Sequence, residues 1–320
     1  MSAPPFLDAE AIARLLPPAV AIDALEAALL AGLDPAADPP RSSVAGAAGE
    51  LLLMPSSAAG AIGVKLASVA PENPERGRPR IQGLYVLFHS DTLAPAALLD
   101  GIALTNVRTA AVSALAVRHL AAAGARRLLV FGTGPQARAH VDAMRAVRPV
   151  ERVDVVGRHR GRLAAFLEGC RAGGLEASGV AVSAAGPSSD PAERSGLGEL
   201  VAGAELICCC TTARDPLFGG DLPGPEATVV AVGSHEPGAR ELDERMLRRS
   251  TVVVEDVATA LREAGEVIAA VASGALERSV LVNLADLVCG RATAAPGRPR
   301  VFKSTGMAWE DLVLAAAAAS

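Results

Sequence analysis

Arg127-Leu128-Leu129-Val130-Phe131-Gly132-Thr133-Gly134-Pro135-Gln136-Ala137 is the stretch that decides the fold. Its first five residues form a short apolar run that reads as a buried strand. Gly132 and Gly134 permit a tight turn with close backbone approach, and Ala137 takes the third small position of a GxGxxA pattern. Residues 137–147 then read as a helix. Strand, glycine turn and helix in that order make a site for the pyrophosphate of a dinucleotide, held by free N–H groups at the helix N-terminus. Gly132, Thr133, Gly134, Pro135, Gln136 and Ala137 are therefore candidate cofactor contacts. Taken alone, GxGxxA fits any tight strand-to-helix turn, and the flanking sequence has to separate the two.

Downstream the chain alternates strand and helix. Residues 152–156 read as a second strand and 161–172 as a helix ended by Gly173-Gly174. Residues 179–183 read as a third strand, followed by a polar stretch over 185–198. Short apolar strands follow at 206–210, 228–232 and 251–254. This is the rhythm of a doubly wound parallel sheet. Upstream the pattern differs. Residues 7–31 hold two helical patterns broken at Pro17-Pro18, and strand-like runs follow at 49–54, 61–69 and 81–89. They predict a separate α+β domain of mostly antiparallel sheet. An apolar helix over 106–123, closed by Gly124, leads into the dinucleotide domain. A short strand at 300–303 and a helix at 306–319 end the chain.

Composition narrows the function classes. Hydrophobic residues make up 51% of the 320 and aromatics only 2%, so Ala, Val and Leu must build the core. The formal net charge is −5 with no long basic run, which argues against a nucleic-acid footprint. The most apolar stretches are too short for a membrane span or are broken, as by Arg118 and His119, and no signal peptide is visible. The expectation is a cytoplasmic protein with no membrane partner. Cys208, Cys209 and Cys210 are consecutive in an apolar run, where strand alternation would separate adjacent thiols. No histidine lies nearby, so they, with Cys170 and Cys289, read as small buried hydrophobes and no metal site is expected.

The second strand ends at Val156-Gly157 and continues into Arg158-His159-Arg160. An NAD-specific site places Asp or Glu here to accept from the ribose hydroxyls. None is present, and Asp154 lies two residues out of register. Arg158 and Arg160 instead offer donors for a 2′-phosphate, which favours NADP(H) over NAD(H), with a solvated basic loop as the plain alternative. Thr105 or Asn106 can cap the interdomain helix. Arg108 then sits in its first turn against the helix dipole, which a nearby buried anion would account for and a surface position equally would. Lys65 shares a strand face with Gly63 and Ala67, either facing a cleft or guarding a sheet edge. Arg41, after Pro39-Pro40, is unremarkable alone. His235 and Glu236 follow the strand over 228–232, at the carboxyl end where ligands of open α/β sheets bind. They suit acid/base work or substrate contact, or form an ordinary polar loop.

Together these segments resemble the ornithine cyclodeaminase/mu-crystallin family. The resemblance rests on Pro40-Arg41, Leu53-Met54-Pro55, Gly63-Val64-Lys65-Leu66, Gln82-Gly83, Asp100-Gly101, Arg108-Thr109-Ala110-Ala111, the glycine turn, Ala231-Val232-Gly233, Arg240-Glu241-Leu242-Asp243, and Val301-Phe302-Lys303-Ser304-Thr305-Gly306-Met307-Ala308 with Asp311, all in the family's order. It implies a substrate-binding and dimerisation domain from 1–120 with 296–320, a Rossmann domain over 121–295, and a homodimer built through the N-terminal sheets. It implies that Arg41, Lys65 and Arg108 surround the carboxylate of a small imino- or amino-acid substrate, with Gln82 as a further substrate contact and Lys65 and His235 as catalytic candidates. Thr109, Arg158, His159, Arg160, Thr211, Thr212, Val232, Gly233, Ser304 and Gly306 join the glycine turn as expected cofactor contacts. In one respect the chain departs from the family's cyclodeaminases. They carry an Asp two residues before the Pro-Gly after this strand, where His235 stands here, and a His is no permanent anion for a substrate amine. The resemblance therefore implies an NADPH-dependent reductase of cyclic ketimine carboxylates, converting Δ1-pyrroline-2-carboxylate or Δ1-piperideine-2-carboxylate to proline or pipecolate. The alternatives are ornithine cyclisation through Glu236, an alanine-type dehydrogenase, and a mu-crystallin-type protein that binds NADPH and a small ligand.

Overall fold

The structure, a computed structural model, describes residues 3–58, 60–182 and 191–320, and divides into two compact units: the residues up to Val112 with Gly306–Ser320, and Ser113–Thr305. The sequence reading of a strand over 179–183 and a polar stretch over 185–198 falls partly on 183–190, outside the described residues.

In the first unit, β1 (Phe6–Leu7), α1 (Ala9–Leu15) and α2 (Pro18–Leu30) precede β2 (Ser42–Gly46), β3 (Gly49–Ala58), β4 (Ala61–Val69), β5 (Ile81–His89) and β6 (Pro95–Asp100). The sheet order is β1-β6-β5-β4-β3-β2, antiparallel except for β1 on β6. β3 runs through Pro55 to Ala58, beyond the 49–54 expected. Pro55 lies past the last pairing with β2 at Leu53 but within the ladder to β4, where it stands opposite Val64. The last helix of the chain (Ala308–Ala319) packs on β3, β4, β5 and α2. Trp309, Leu312 and Leu314 on it join Tyr85, Leu99, Ile22 and Leu25 in a core shut from solvent.

Helix α3 (Gly101–Leu120) begins five residues before the expected start. Asp100 Oδ1 accepts from the N–H groups of Ile102 and Ala103, each at 2.9 Å, so Asp100 caps the helix rather than Thr105 or Asn106. Arg108 therefore lies two turns inside, beyond the reach of the N-terminal dipole. The boundary between the units falls within α3, after Val112.

The second unit runs β7 (Arg127–Phe131), α4 (Pro135–Val147), β8 (Arg152–Gly157), α5 (Arg160–Ala172), β9 (Glu176–Ala181), α6 (Pro191–Gly203), β10 (Leu206–Cys209), β11 (Thr228–Ala231), α7 (Glu244–Arg249), β12 (Thr251–Val254), α8 (Val257–Glu263), α9 (Gly265–Ala272), β13 (Val282–Asn283), α10 (Leu284–Val288) and β14 (Arg300–Lys303); the final helix, in the first unit, is α11. The strands make one eight-stranded sheet, ordered β13-β12-β14-β11-β10-β7-β8-β9, parallel throughout. This is the expected doubly wound α/β sheet, and its order reverses between β7 and β10, where such sheets bind ligands. One assignment is corrected. β14, expected with the N-terminal domain as part of 296–320, pairs with β11 and β12 inside the parallel sheet. Its run Arg300-Val301-Phe302-Lys303 is buried on both faces, as a central strand must be.

Candidate functional site

Within the first unit, three cations from separate segments meet the segment 306–311. β4 is an internal strand, so Lys65 guards no edge. Its register partners Met54 and Tyr85 put it on the face that α11 covers. Lys65 Nζ lies 2.6 Å from Asp311 Oδ2, with both side chains buried. Arg108 Nη1 lies 2.8 Å from Glu310 Oε2, and its Nε faces Asp311 Oδ1 at 3.6 Å. Arg108 is thus buried against carboxylates of the chain itself, although the helix-dipole argument that led to expecting an anion does not apply two turns inside α3. Arg41 donates to the carbonyl of Gly306 at 2.7 Å. Gly306 has φ +78°, and a Cβ there would stand 2.6 Å from Arg108 Nη2 and 2.8 Å from its Cζ. Only glycine admits the guanidinium so close.

The electrostatics follow from burial. Desolvation and the Arg108 charge push the Lys65 ammonium down to about 8, against the opposing pull of Asp311 and Glu310. Burial also raises the Tyr85 phenol, helped by Asp311 and Asp38. Asp38 accepts from Ser56 Oγ at 2.6 Å and is raised by burial. Gln82 does not join this group. It pairs with Ser68, out of phase with Lys65 and Tyr85, so its side chain takes the opposite, exposed face of the sheet. Gly306, expected at the cofactor, is built into the arginine pair. Thr109 is buried beside Arg108 in the helix.

Within the second unit, the glycine turn has the geometry its sequence predicts. Gly132 has φ +115°, and a Cβ would stand 2.5 Å from the carbonyl oxygen of Cys210. Gly134 is the N-cap of α4 with no side-chain capping bond, Pro135 occupies the first turn, and no acid lies there. Those N–H groups and the dipole suit a pyrophosphate. Ala137 is buried beneath the turn. Arg158, His159 and Arg160 are exposed at the start of α5, whose first turn also has no acid and no side-chain cap. Asp154 is engaged by Arg152 at 3.1 Å and by Ser178. Arg138 and Arg162, unmarked in the sequence reading, line a hollow with Thr133, Gly134, Pro135 and Phe166; Arg138 lies over the Phe166 ring at 4.3 Å.

A buried carboxylate missed at the level of role organises the carboxyl ends of β10 and β11. Glu241 accepts from Thr211 N at 2.8 Å, Thr211 Oγ1 at 2.7 Å and Gly233 N at 2.8 Å. Burial raises its carboxyl, with Lys303 and these donors opposing. Thr211 and Gly233, expected at the cofactor, thus direct these donors to Glu241. Val232 is half-buried and Thr212 exposed. Lys303 Nζ donates to the Ser234 carbonyl at 2.6 Å and lies 3.3 Å from Glu266, fixing the loop that carries the half-buried His235. Glu236 pairs with Arg214 at 3.2 Å. Ser304 donates to Glu255 at 2.6 Å. The signal for Glu241 was present in Arg240-Glu241-Leu242-Asp243, but its partners lie too far along the chain to be read.

Among the described residues no cluster of three His, Cys, Asp or Glu side chains could hold a metal, and no helix is long and apolar enough to cross a membrane. No disulfide joins the five cysteines, and Cys210 and Cys289 are only half-buried where full burial was expected.

A Rossmann-type dinucleotide unit paired with an α+β unit bearing buried cations defines the class of protein. The family model for the ornithine cyclodeaminase/mu-crystallin family matches residues 6–318, and the chain belongs to that family. It is 33% identical over 270 residues to a Δ1-pyrroline-2-carboxylate reductase of Bacillus cereus, covering 82% of this chain and 79% of the relative. It is 34% identical over 266 residues to a Δ1-pyrroline-2-carboxylate/Δ1-piperideine-2-carboxylate reductase of Azospirillum brasilense, covering 83% and 78%. Its fold matches that of Thermococcus litoralis Δ1-pyrroline-2-carboxylate reductase, solved with NADH and L-proline. The TM-score is 0.87 at 28% identity, over 98% of this chain and 96% of the other.

Proposed function

We propose that this chain reduces cyclic ketimine carboxylates, Δ1-pyrroline-2-carboxylate or Δ1-piperideine-2-carboxylate, to the cyclic amino acids with a nicotinamide cofactor. The observation that carries this reading is the convergence of Lys65, Arg108 and Arg41 on 306–311. Two guanidinium groups and one ammonium can hold an α-carboxylate and fix the adjacent C=N carbon. The relatives named for this reaction support it.

When bound, the reduced nicotinamide supplies the hydride to the C=N carbon. The glycine turn and the open α4 N-terminus fit its pyrophosphate. Lys65 provides the proton for the imine nitrogen, which makes the neighbouring carbon more electrophilic. His235 is the second candidate, since Lys303 and Ser234 hold its loop. Its imidazole cannot act as the standing anion that a diamine substrate requires, and Arg214 holds Glu236, which counts against ornithine cyclisation. Arg158 and Arg160 at an acid-free helix start favour NADP(H) over NAD(H). The protein acts as a homodimer. Val44, Leu51 and Leu84 are exposed apolar side chains on the sheet face away from Lys65, which a second copy would cover.

The test is NADPH oxidation with each ketimine beside ammonia release from L-ornithine with NAD. The reading requires rapid NADPH loss and no ammonia. Ammonia from ornithine would overturn it and give Glu236 the role of the missing carboxylate.

A further inference from the structure

Lys65 and Lys303 are the only lysines of the chain; the other 28 of its 30 lysine and arginine residues are arginine. Where a cation suffices, this sequence uses guanidinium. Lysine differs in being compact and in giving up its proton more readily when buried. Lys303 is buried and held by the Ser234 carbonyl and hydroxyl and by Glu266. Lys65 donates to Asp311 Oδ2 at 2.6 Å.

Asp311 sits in the first turn of α11, next to Glu310. Glu310 takes Arg108 at 2.8 Å, while Asp311 lies between Lys65 Nζ and Arg108 Nε. Both acids are wholly buried. Burying such pairs seldom stabilises a fold more than apolar residues of the same size would, because desolvation cancels the attraction. Two adjacent pairs on one helical turn therefore call for a use beyond stability.

We propose that Asp311 is the positioning residue of the site, orienting Lys65 and keeping it protonated beside Arg108 so that it can deliver its proton to the imine nitrogen. The inference rests on the reductase reading above. In the balanced step the C=N π bond gives way to one C–H and one N–H bond. A bound reduced nicotinamide would supply the hydride and be left oxidised, and the proton leaves the Lys65 ammonium, which becomes a neutral amine. Asp311 remains a carboxylate, and Lys65 regains a proton from solvent.

The charged and titratable groups around Lys65 are Asp311 and Glu310 from α11, Arg108 from α3, and Tyr85 from β5, with Asp38 and Arg41 from the segment before β2. Desolvation and Arg108 lower the ammonium, and Asp311 and Glu310 raise it. Without the Asp311 carboxylate Lys65 must lose its proton at lower pH.

The experiment is the pH profile of kcat/KM for Δ1-pyrroline-2-carboxylate in the wild type, Asp311→Asn and Asp311→Glu, with NADPH affinity measured alongside. Wild-type activity should fall as pH rises through about 8. Asp311→Asn should move that limb down by about 1–3 pH units, the usual effect of one adjacent opposite charge. NADPH affinity should hold, and Asp311→Glu should restore part of the shift. An unmoved limb in Asp311→Asn would overturn the proposal.

A second measurement needs neither substrate nor a folded variant. Selective labelling gives two lysine side-chain NMR signals in the wild type, and aspartate carboxyl labelling reports Asp311. Lys65 should titrate near 8 with an Asp311 carboxyl shift at the same pH; a Lys65 titration that leaves Asp311 unmoved would refute the coupling. If the wild type reduces no ketimine while the coupled titration is seen, the reductase reading fails and the coupling stands.

Discussion

Gly306→Ala separates the substrate clamp from the cofactor. The sequence reading placed Gly306 among the cofactor contacts; in the structure its carbonyl accepts from Arg41, and a side chain on it would meet Arg108. The new methyl would stand 2.6 Å from Nη2 and 2.8 Å from Cζ, and the backbone would have to keep φ +78°. The left-handed backbone costs ~1–2 kcal/mol for a non-glycine residue, enough to lower Tm by a few degrees. The guanidinium is the mobile partner, so it moves and gives up its placement toward the substrate carboxylate. A charged hydrogen bond of that kind contributes about 1.5–3 kcal/mol, or roughly 10- to 150-fold in kcat/KM for the ketimine. The assay is steady-state NADPH oxidation with fluorescence titration of NADPH binding. The ketimine kcat/KM should fall within that range while the NADPH dissociation constant holds. Weakened NADPH binding with an intact ketimine KM would refute the assignment of Gly306 to the arginines.

Other outcomes follow from the second unit. Arg158→Asp should weaken NADPH far more than NADH in direct binding, and equal losses would remove the 2′-phosphate argument. Glu241→Gln keeps one acceptor oxygen for Thr211 but turns an amide toward the Gly233 N–H, a mismatch worth ~1–3 kcal/mol; thermal denaturation should show the loss, and an unchanged Tm would contradict the role given to Glu241. His140 is buried between the Gln136 carbonyl at 2.8 Å and Ser113 Oγ at 3.0 Å, and burial lowers it from 6.5 to about 4. Between those values the unfolded chain binds a proton that the folded chain does not, so stability falls by up to ~3 kcal/mol as pH drops through the window. Denaturant unfolding of the wild type and His140→Gln across that range should show a flatter pH dependence in the variant, and parallel curves would contradict it.

What the sequence makes legible is set by how local the cause is. Arg127–Phe131, Thr251–Val254 and Arg300–Lys303 are apolar runs whose ends are fixed by the next polar or glycine residue, and the structure keeps all three bounds. Ser42–Gly46 and Pro95–Asp100 escaped because small, polar or proline-led segments pair in sheets only when neighbours supply the register. The place of β14 in the parallel sheet escaped for a related reason, since nothing within four residues says which strands flank it. The start of α3 was missed although Asp100-Gly101 precedes an apolar run, because Thr105 and Asn106 offered a competing cap. Lys65 and Arg108 stood out locally with two readings each, and their substrate role, like that of Arg41, came from the family resemblance. Their partners Glu310 and Asp311 lie 202 and 246 residues away from Arg108 and Lys65, beyond any spacing rule. Gln82 was misplaced for want of the register that pairs Lys65 with Tyr85 and sets Gln82 one step out of phase.

The central claim, hydride transfer to a cyclic ketimine carboxylate, is tested most directly with NADPH deuterated at the transferring C4 position and Δ1-pyrroline-2-carboxylate as acceptor. The account predicts proline that is one mass unit heavier, with the deuterium on its α-carbon. Proline formed without label, or no product while alanine-type substrates turn over, would contradict it.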